Sequence, residues 1–327
     1  MSVIVVKKGL LDTIQDNGRC GYQHAGINPG GSMDLVAANV ANLLAGNNRK
    51  EPVIELHFPA SVFMFKNDCL IAITGADFEP EIDNKPVPIN TSILVAKDSI
   101  LKFKKYKKGA RCYLAIRGEW NVAPWLKSYS TNTKVKAGGY KGRALSENDV
   151  IEAQRPSFST LNTRGATIIL PVSVDHLNLV VDNDVIRCVR GSEYYWLTEE
   201  SKTHLESNPF MITTQSDRMG YRLQGNVLTS KVNQQLLSTA VARGTVQLLP
   251  SGQLVVLMAD HQTTGGYPKV AHVISADLSM LAQRRSNENI RFSLVELEEA
   301  EKAYIDQQQY LDNLEETIQQ RIKQFLT

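Results

Sequence analysis

A polar segment at residues 260–269, DHQTTGGYPK, combines side chains that do chemistry with a turn able to aim them. Asp260 and His261 are titratable, and His261 would act as a general base or as a simple hydrogen-bond donor. Gln and Thr side chains supply neutral donors and acceptors, and the Gly-Gly pair turns the chain. The segment follows an apolar run at residues 254–258, where a strand would leave the core. We predict a ligand-binding surface here, with a hairpin loop stabilised by Asp and Thr side chains as the alternative.

A second segment, SDRMGYR at residues 216–222, contains two arginines close together. The planar guanidinium groups of Arg218 and Arg222 are suited to holding a carboxylate or a phosphate through two parallel hydrogen bonds. Asp217 would orient one of them. The alternative is an ion-pair cluster at the surface, which contributes little to stability or function.

The third segment, IQDNGRCGYQHAGINPGGSMD at residues 14–34, places polar side chains among glycines. Glycine allows close approach of the backbone, so Gln15, Asp16, Arg19 and Asp34 would point into a shared cavity. The segment also runs into the start of a predicted helix, an end that favours anions. The alternative is a long tight loop in which Gly and Asn serve turn geometry alone.

The composition is that of a globular protein and argues against nucleic-acid binding. Hydrophobic residues make up 43% of the 327 and charged residues 21%, so a buried core is expected, and the length predicts two domains. The net charge of +2 lacks the strong basic excess of a nucleic-acid binder. One basic cluster, at residues 102–111, is interpreted as a solvated strand end and turn, with phosphate or partner docking as the alternative.

Familiar cofactor and metal motifs do not occur in the sequence. It contains no GxxxxGK[ST], HExxH or GxSxG motif, and its four cysteines form no CxxC pair, so no metal site is expected. The N-terminus is too short and too quickly charged for a signal peptide, and no apolar run approaches the roughly 18–20 residues of a membrane span. We therefore expect a cytoplasmic protein that associates with neither nucleic acid nor membrane.

Short β-like runs dominate the chain and must position these segments. Most have four to eight residues, are rich in β-branched or aromatic side chains and are bounded by Gly, Pro, Asn or Asp, which favours barrels or sandwiches. Helices are predicted at residues 33–45, with Ser32 as the cap and Gly46 at the end, at 276–283 and at 296–325. The predicted strands cover residues 3–6, 53–56, 62–65, 70–74, 93–96, 100–103, 112–116, 167–172, 185–189, 210–214, 245–249, 254–258 and 270–274.

A polar stretch at residues 154–165 separates two strand-rich halves. We therefore predict one β domain at residues 1–155, a second at 156–295 and a C-terminal helix within 296–327. That helix would either fold back on its own domain or dock a partner, because an apolar residue recurs at every seventh position. The recurring residues are Leu297, Tyr304, Leu311, Ile318 and Phe325.

Several long motifs follow one another in the order seen in one family. They are IQDNGRCGYQHAGINPGGSMD, ITGADFEPEIDNKPVPIN, RCYLAIRG with SYSTNTK, SDRMGYRLQG, and GTVQLLPSGQLVVLMADHQTTGGYPKVAHVISADL. On these motifs the chain resembles the biotin-dependent carboxyltransferase / KipA family, up to about residue 300. The family includes the C subunit of 5-oxoprolinase and the carboxyltransferase domain of urea carboxylase (urea amidolyase).

The resemblance implies a mainly β fold of two cyclophilin-like β-barrel domains with a cleft between them, plus the long C-terminal helix. It implies an ATP-dependent 5-oxoprolinase, a hydrolase in which this chain is the C subunit and acts with an A subunit and a KipI-like B subunit to convert 5-oxo-L-proline to L-glutamate. ATP would bind in the assembled complex, and this chain would carry no biotin. Two alternatives remain: a carboxyltransferase component using carboxybiotin and a urea-like amide, and a KipA-type regulator that binds a KipI-like kinase inhibitor.

The resemblance also implies roles for residues in the three polar segments. The catalytic candidates are Asp16, Asp260 and His261, with Asp16 or Asp260 acting on the lactam N–H. Arg218 or Arg222 would hold the substrate carboxylate, and backbone groups near Thr263 would bind the lactam carbonyl oxygen. The substrate-binding candidates are Gln15, Arg19, Asp34, Asp217, Arg218, Tyr221, Arg222, Gln262, Thr263, Thr264, Gly266 and Tyr267.

Overall fold

The computed structural model describes residues 1–154, 163, 165–175 and 183–326. The chain divides into two compact units. The first comprises Met1–Arg19, Gly30–Val180 and Tyr310–Thr327, and the second comprises Cys20–Pro29 and Val181–Gln309. Strands dominate both units, so the predicted mainly β fold is confirmed.

The first unit contains two sheets and one helix that begins and ends within it. The seven-stranded sheet has the order β11-β12-β1-β4-β9-β6-β7, and the six-stranded sheet has the order β13-β8-β5-β10-β3-β2. The elements are β1 (Ser2–Lys7), β2 (Thr13–Gln15), α1 (Leu35–Leu44), β3 (Val53–Leu56), β4 (Val62–Phe65), β5 (Cys69–Asp77), β6 (Pro80–Ile82), β7 (Lys85–Pro86), β8 (Thr91–Val95), β9 (Ile100–Phe103), β10 (Lys108–Ile116), β11 (Glu119–Trp120), β12 (Val150–Gln154) and β13 (Ile168–Ser173).

The inner strands of the six-stranded sheet, β8, β5, β10 and β3, are buried on both faces, whereas β13 at its edge is partly exposed. One face shares a core with the seven-stranded sheet, where Ile73 and Leu114 lie in one cluster with Phe63 and Val5. The other face is covered by α1 and by the C-terminal part of the last helix. Because neither face meets water, β5 reads as an almost continuous apolar run rather than an alternating one.

Helix α1 begins two residues later than predicted. Asp34, not Ser32, is its N-cap, and the Asp34 carboxylate accepts a hydrogen bond from the Ala37 backbone N–H at 2.9 Å. The predicted end is confirmed, since Gly46 follows the helix in the left-handed region with a φ of 71°.

The second unit is built on a closed barrel of seven strands in the order β14-β21-β18-β19-β16-β15-β22. A parallel pairing of β14 with β22 completes it. A two-stranded sheet, β17-β20, lies in the same unit. The elements are β14 (Val185–Arg190), α2 (Glu199–Ser207), β15 (Phe210–Ile212), β16 (Gly220–Gln224), β17 (Thr239–Ala240), β18 (Thr245–Leu248), β19 (Leu254–Leu257), β20 (Thr264–Gly265), β21 (Lys269–Val273), α3 (Leu278–Ala282), β22 (Asn289–Leu294) and α4 (Leu297–Leu326).

Helix α2 was missed from the sequence, although its start carries a recognisable signal. Thr198 precedes it, and the Thr198 hydroxyl accepts a hydrogen bond from the Ser201 backbone N–H at 3.2 Å. Glu199 and Glu200 occupy the first turn, where acidic residues are favoured. Only Ser201 and Leu205 are buried, so the helix lacks the apolar stripe on which the prediction relied.

The division of the chain differs from the predicted one. Strand β13 was assigned to the second domain, but it pairs with β8 and extends the six-stranded sheet of the first unit. Most of the predicted junction at residues 154–165 lies outside the described residues. β13 follows that polar stretch in the sequence but pairs with β8, which precedes it. Local sequence does not reveal such a pairing.

Helix α4 confirms the predicted C-terminal helix, but its buried stripe differs from the predicted one. Leu311, Ile318 and Ile322 are buried against the six-stranded sheet and α1, with Leu314 partly buried beside them. The stripe thus follows the 3.6-residue period of a single helix on a sheet, not a strict heptad. Of the predicted residues, Leu297, Tyr304 and Phe325 are exposed. The part of α4 from Tyr310 on therefore packs on the first unit and belongs to it, whereas the beginning of the helix belongs to the second.

An ion-pair cluster accompanies this apolar contact. The Arg49 guanidinium lies 2.7 Å from the Asp312 carboxylate and 2.9 Å from that of Glu315, both on α4. Exposed pairs of this kind each contribute at most about 1 kcal/mol, so apolar burial dominates the attachment.

Replacing Ile318 with Ala should lower the free energy of unfolding by about 2–4 kcal/mol, because a buried side chain is lost and a cavity remains. Ile305→Ala on the same helix is the matched control, since Ile305 is 52% exposed, and it should change stability by at most about 0.5 kcal/mol. Urea denaturation followed by fluorescence measures both. Equal effects of the two variants would contradict this account of the helix.

Candidate functional site

Arg218 and Asp260 form a mostly buried charged pair in the second unit. Arg218 donates from Nε to Asp260 Oδ2 at 2.8 Å and from Nη2 to Oδ1 at 3.1 Å. Both side chains are mostly buried, with exposed fractions of 11% and 16%. The backbone N–H of Asp260 also donates to the Arg218 carbonyl oxygen at 2.8 Å. Two parallel charge-assisted bonds at low exposure hold the two loops in one geometry.

The turn before β16 orients this pair. Asp217 accepts hydrogen bonds from the backbone N–H groups of Met219, at 2.8 Å, and Gly220, at 3.2 Å. Asp217 therefore shapes the turn that carries Arg218, whereas the sequence interpretation had it orient an arginine directly. Both Asp260 oxygens accept from Arg218, so the two side chains act as a coupled unit rather than as a separate anion holder and base.

His261 is the histidine next to this pair, and it is only 2% exposed. Its Nδ1 lies 2.5 Å from the Gln262 carbonyl oxygen, which requires the proton on Nδ1 and leaves the lone pair on Nε2. Burial lowers the pKa of His261, and the charge of Arg243 lowers it further, while the Gln262 carbonyl and Asp260 raise it. The imidazole is therefore neutral at pH 7, in the form that accepts a proton.

Tyr221 and Arg222 lie on opposite faces of β16, as successive residues of a strand must. Tyr221 is 2% exposed, and its hydroxyl donates to the Ala282 carbonyl oxygen at 3.4 Å. Arg222 is exposed. The structure thus places the two arginines of SDRMGYR in different environments, Arg218 in a mostly buried pair and Arg222 in solvent.

A cavity of about 900 Å³ lies within the second unit. Three segments contribute its walls: residues 227–238, 248–252 and 262–268. Of the predicted ligand-binding residues, Gln262, Thr264, Gly266 and Tyr267 line it. The 227–238 wall was missed by sequence reasoning, although its polar, amide-rich run without strand periodicity was a visible signal. Neutral amides and hydroxyls in such walls bind uncharged polar groups.

Four predicted residues of the first unit, Gln15, Asp16, Arg19 and Asp34, are nearly inaccessible to solvent. Asp16 is the centre of one hydrogen-bond network. Its Oδ1 accepts from the Ser128 hydroxyl at 2.7 Å, from the Gly18 backbone N–H at 2.8 Å and from the Ser130 hydroxyl. Its Oδ2 accepts from the Tyr129 backbone N–H at 2.6 Å. Four donors satisfy both oxygens, so this carboxylate joins the 14–34 segment to the SYSTNTK segment.

Arg19 is packed into the same network and is 1% exposed. Its Nη2 donates to the Ser130 carbonyl oxygen, and its guanidinium lies 4.6 Å from the centroid of the Trp125 ring. Gly30 has a φ of 65°, which favours glycine, and a Cβ atom there would lie 2.9 Å from Arg19 Nη1 and displace the guanidinium. Gln15 is fully buried and donates to the Thr13 hydroxyl at 3.0 Å.

Asp34 belongs to a second buried network that the sequence did not reveal. The Asp34 backbone N–H donates to the Tyr113 hydroxyl at 2.7 Å, and that hydroxyl donates to Glu55 Oε2 at 2.9 Å. Glu55 also accepts from the Met33 backbone N–H at 2.7 Å. Burial, and next the charges of Glu55 and Asp34, raise the pKa of Tyr113 well above its usual range, so it remains a donor. A lone Glu within the apolar run VIEL was the available signal.

The basic cluster at residues 102–111 is partly neutralised by neighbours. Lys104 pairs with Glu81 at 3.2 Å, and Lys107 pairs with Asp77 at 3.3 Å. Lys102 donates to the Asn84 side-chain oxygen at 2.6 Å. These contacts favour the interpretation as a solvated strand end.

The structure therefore sorts the predicted residues into two groups, one in each unit. Arg218, Asp260 and His261 are neighbours in the second unit, and Asp16 and Arg19 share one network in the first. That both groups face one cleft stays a prediction. Across the described ranges, no group of three or more His, Cys, Asp or Glu side chains is placed to hold a metal ion, and no helix is long and apolar enough to span a membrane.

Replacing Asp16 with Ala should lower the free energy of unfolding by about 3 kcal/mol or more, because it leaves several buried donors without an acceptor. Asp98→Asn is the control, since Asp98 is 55% exposed and its ion pairs with Lys66 and Lys97 lie at the surface, so their loss should cost about 1 kcal/mol or less. Asparagine also tolerates the left-handed backbone of this position, where φ is 63°. Thermal unfolding compares the two. If Asp16→Ala were no more destabilising than Asp98→Asn, Asp16 would not have the structural role assigned here.

Comparison with known proteins gives a consistent result. The family model for the carboxyltransferase domain, subdomain A and B, matches residues 25–294. The chain is 35% identical over 310 residues to the C subunit of 5-oxoprolinase from Escherichia coli K12, covering 95% of this chain and 96% of that protein. It is 37% identical over 309 residues to the C subunit of 5-oxoprolinase from Haemophilus influenzae, covering 94% and 96%.

A solved structure with the same fold is that of the Kluyveromyces lactis urea amidolyase. The TM-score is 0.87 at 25% sequence identity, and the match covers 96% of this chain but 20% of that much longer one. The family match, the two relatives of equal length and this shared fold agree. The chain belongs to the carboxyltransferase domain family, with subdomains A and B.

Proposed function

We propose that this chain is the C subunit of an ATP-dependent 5-oxoprolinase that acts with the A and B subunits to convert 5-oxo-L-proline to L-glutamate. The observation that carries the proposal is the match to two proteins named as the C subunit of 5-oxoprolinase, at 35% and 37% identity over almost the full length of both chains. The urea amidolyase match supports a carboxyltransferase role less well, because it covers one fifth of that protein.

The proposed reaction breaks the lactam C–N bond and adds water, so a proton must reach the leaving nitrogen and another must leave the attacking oxygen. Neutral His261, with its lone pair on Nε2, is suited to accept such a proton. The Arg218–Asp260 pair would position the loop that carries His261.

The proposal assigns ATP to the assembled complex. The sequence has no GxxxxGK[ST] loop, and the cavity of the second unit offers neutral walls rather than cations for phosphate. The KipI-like B subunit and the A subunit are the proposed partners, and activity is proposed to require both. Since ATP is available in the cytoplasm, the assembly is proposed to work there.

The direct test reconstitutes the chain with the A and B subunits and measures glutamate formed from 5-oxoproline and ATP. Arg218→Lys should lower kcat/KM at least about tenfold, because lysine cannot reproduce the two parallel bonds to Asp260. Arg291→Lys is the matched control in the same unit: its exposed pair with Asp184, at 3.6 Å, should be dispensable. No turnover by a demonstrably assembled complex would rule out the proposed function.

The pH dependence of the assembled enzyme tests His261. Because burial lowers its pKa below the usual value of about 6.5, more acid is needed to protonate it, and the neutral base persists from pH 8 down to about 6.5. We expect kcat/KM to be level over that range and to fall below it, and His261→Gln should abolish this acid limb and lower the rate about 100-fold or more. An unchanged acid limb in the variant would exclude His261 as the base.

A further inference from the structure

The cavity of the second unit is larger than the proposed substrate needs. Its volume of about 900 Å³ is near the upper end of the roughly 300–1,000 Å³ range of ligand sites. The proposed substrate is a single five-membered lactam that carries a carboxylate. Among the described residues that line the cavity, none is Asp, Glu, Lys, Arg or His. Walls without a cation do not favour a carboxylate, so this cavity suits a larger, uncharged ligand.

The polar side chains of the walls have the chemistry of the peptide group. Four lining residues carry an amide group that can donate and accept hydrogen bonds at the same time: Asn233, Gln234, Gln235 and Gln262. Hydroxyl groups lie among them, as on Ser238. A strand of peptide presents the same alternation of N–H and C=O groups, so such walls can pair with a main chain.

A buried glutamine supports one wall from behind. Gln247 is 2% exposed, and its Oε1 accepts from Gln262 Nε2 at 3.5 Å. Its own Nε2 has no hydrogen-bond partner among the described residues. That nitrogen lies against Gly265 of the wall, where a Cβ atom would come within 2.4 Å of it. A buried donor without a partner among the described residues thus lies directly behind this wall, although it is not one of the groups that line the cavity.

Apolar side chains stand exposed at the same place. Val227 and Tyr267 line the cavity and are 60% and 44% exposed. Leu237, between the lining residues Leu236 and Ser238, is 87% exposed. Single exposed apolar residues are common, but two that line one cavity and a third between two of its lining residues indicate a surface that another chain covers.

We propose that this cavity docks an extended, uncharged peptide segment of another protein of the complex. The inference rests on the proposed function, which supplies the A and B subunits as the candidates. The comparisons support a partner, because the relatives of equal length are named as subunits and the urea amidolyase carries the matched region within a far longer chain. The amides bind the main chain of the segment, and Val227, Leu237 and Tyr267 contact its apolar side chains.

Binding of the full-length chain to the purified A and B subunits, measured by calorimetry, tests the proposal. The double variant Gln234→Glu with Leu237→Glu should weaken binding to one of the two at least tenfold, because it places charge where an uncharged segment docks. Leu10→Glu is the control, since Leu10 is 67% exposed in the first unit, and it should bind as the unchanged chain does. Unchanged melting temperatures show that both variants fold.

A photo-crosslinking amino acid in place of Leu237 identifies what lies there. The expected product joins this position to a segment of the A or B subunit that lacks charged residues. The same crosslinking amino acid in place of Leu10 is the control. Unchanged affinity of the double variant, or crosslinks from position 10 but none from position 237, would overturn the proposal. It would also be overturned if native mass spectrometry found a small molecule retained in the cavity, or if no complex formed with either protein.

Glutamate formation by the same assemblies separates the two proposals. Turnover combined with crosslinks elsewhere would overturn the docking site alone. A complex that crosslinks from position 237 but does not turn over would overturn the proposed function while upholding the docking site.

Discussion

A buried carboxylate must find hydrogen-bond donors, and the first unit is organised around that requirement at Asp16. Leaving such a group unsatisfied would cost several kcal/mol. Its four donors come from the glycine-rich loop after β2 and from the Ser128–Ser130 region, far apart in sequence. Arg19 reinforces the same junction through Ser130 and Trp125. The start of the loop after β2 is therefore held to the Ser128–Ser130 region by hydrogen bonds to a charged group, in addition to its own turn propensities.

The start of α1 depends on a related arrangement. Glu55 sits at the centre of β3, yet it is fully buried because Tyr113 and the Met33 backbone N–H satisfy it. The apolar side chains of that sheet face are covered by α1 and the end of α4, while Thr74 and Ser92 on the same face donate to the Ala37 and Leu44 carbonyl oxygens of α1, each at 2.7 Å. Glu55 and the Tyr113 hydroxyl accept from the Met33 and Asp34 backbone N–H groups, and these two bonds hold the chain where α1 begins.

The second unit uses charge in a different way. Arg218 and Asp260 neutralise one another across two loops at the ends of barrel strands, and His261 is neutral beside them. The cavity walls combine apolar side chains with neutral amides and hydroxyls. The charged pair and the uncharged cavity are thus suited to different ligand chemistry, although the single segment DHQTTGGYPK contributes to both.

Local sequence determined that the chain is rich in strands, that it ends in a long helix and that three polar segments interrupt the strands. It also placed the start of α1 near a capping residue and its end at a glycine. These features follow from periodicity and turn chemistry, which act over a few residues. Family motifs extended this to the fold class. Tertiary structure decided the rest: which sheet received β13, that Ile322 rather than Phe325 is buried, and that Asp16 and Asp260 each have their oxygens occupied. Those outcomes depend on contacts between residues distant in sequence, and such partners are not encoded in any local pattern.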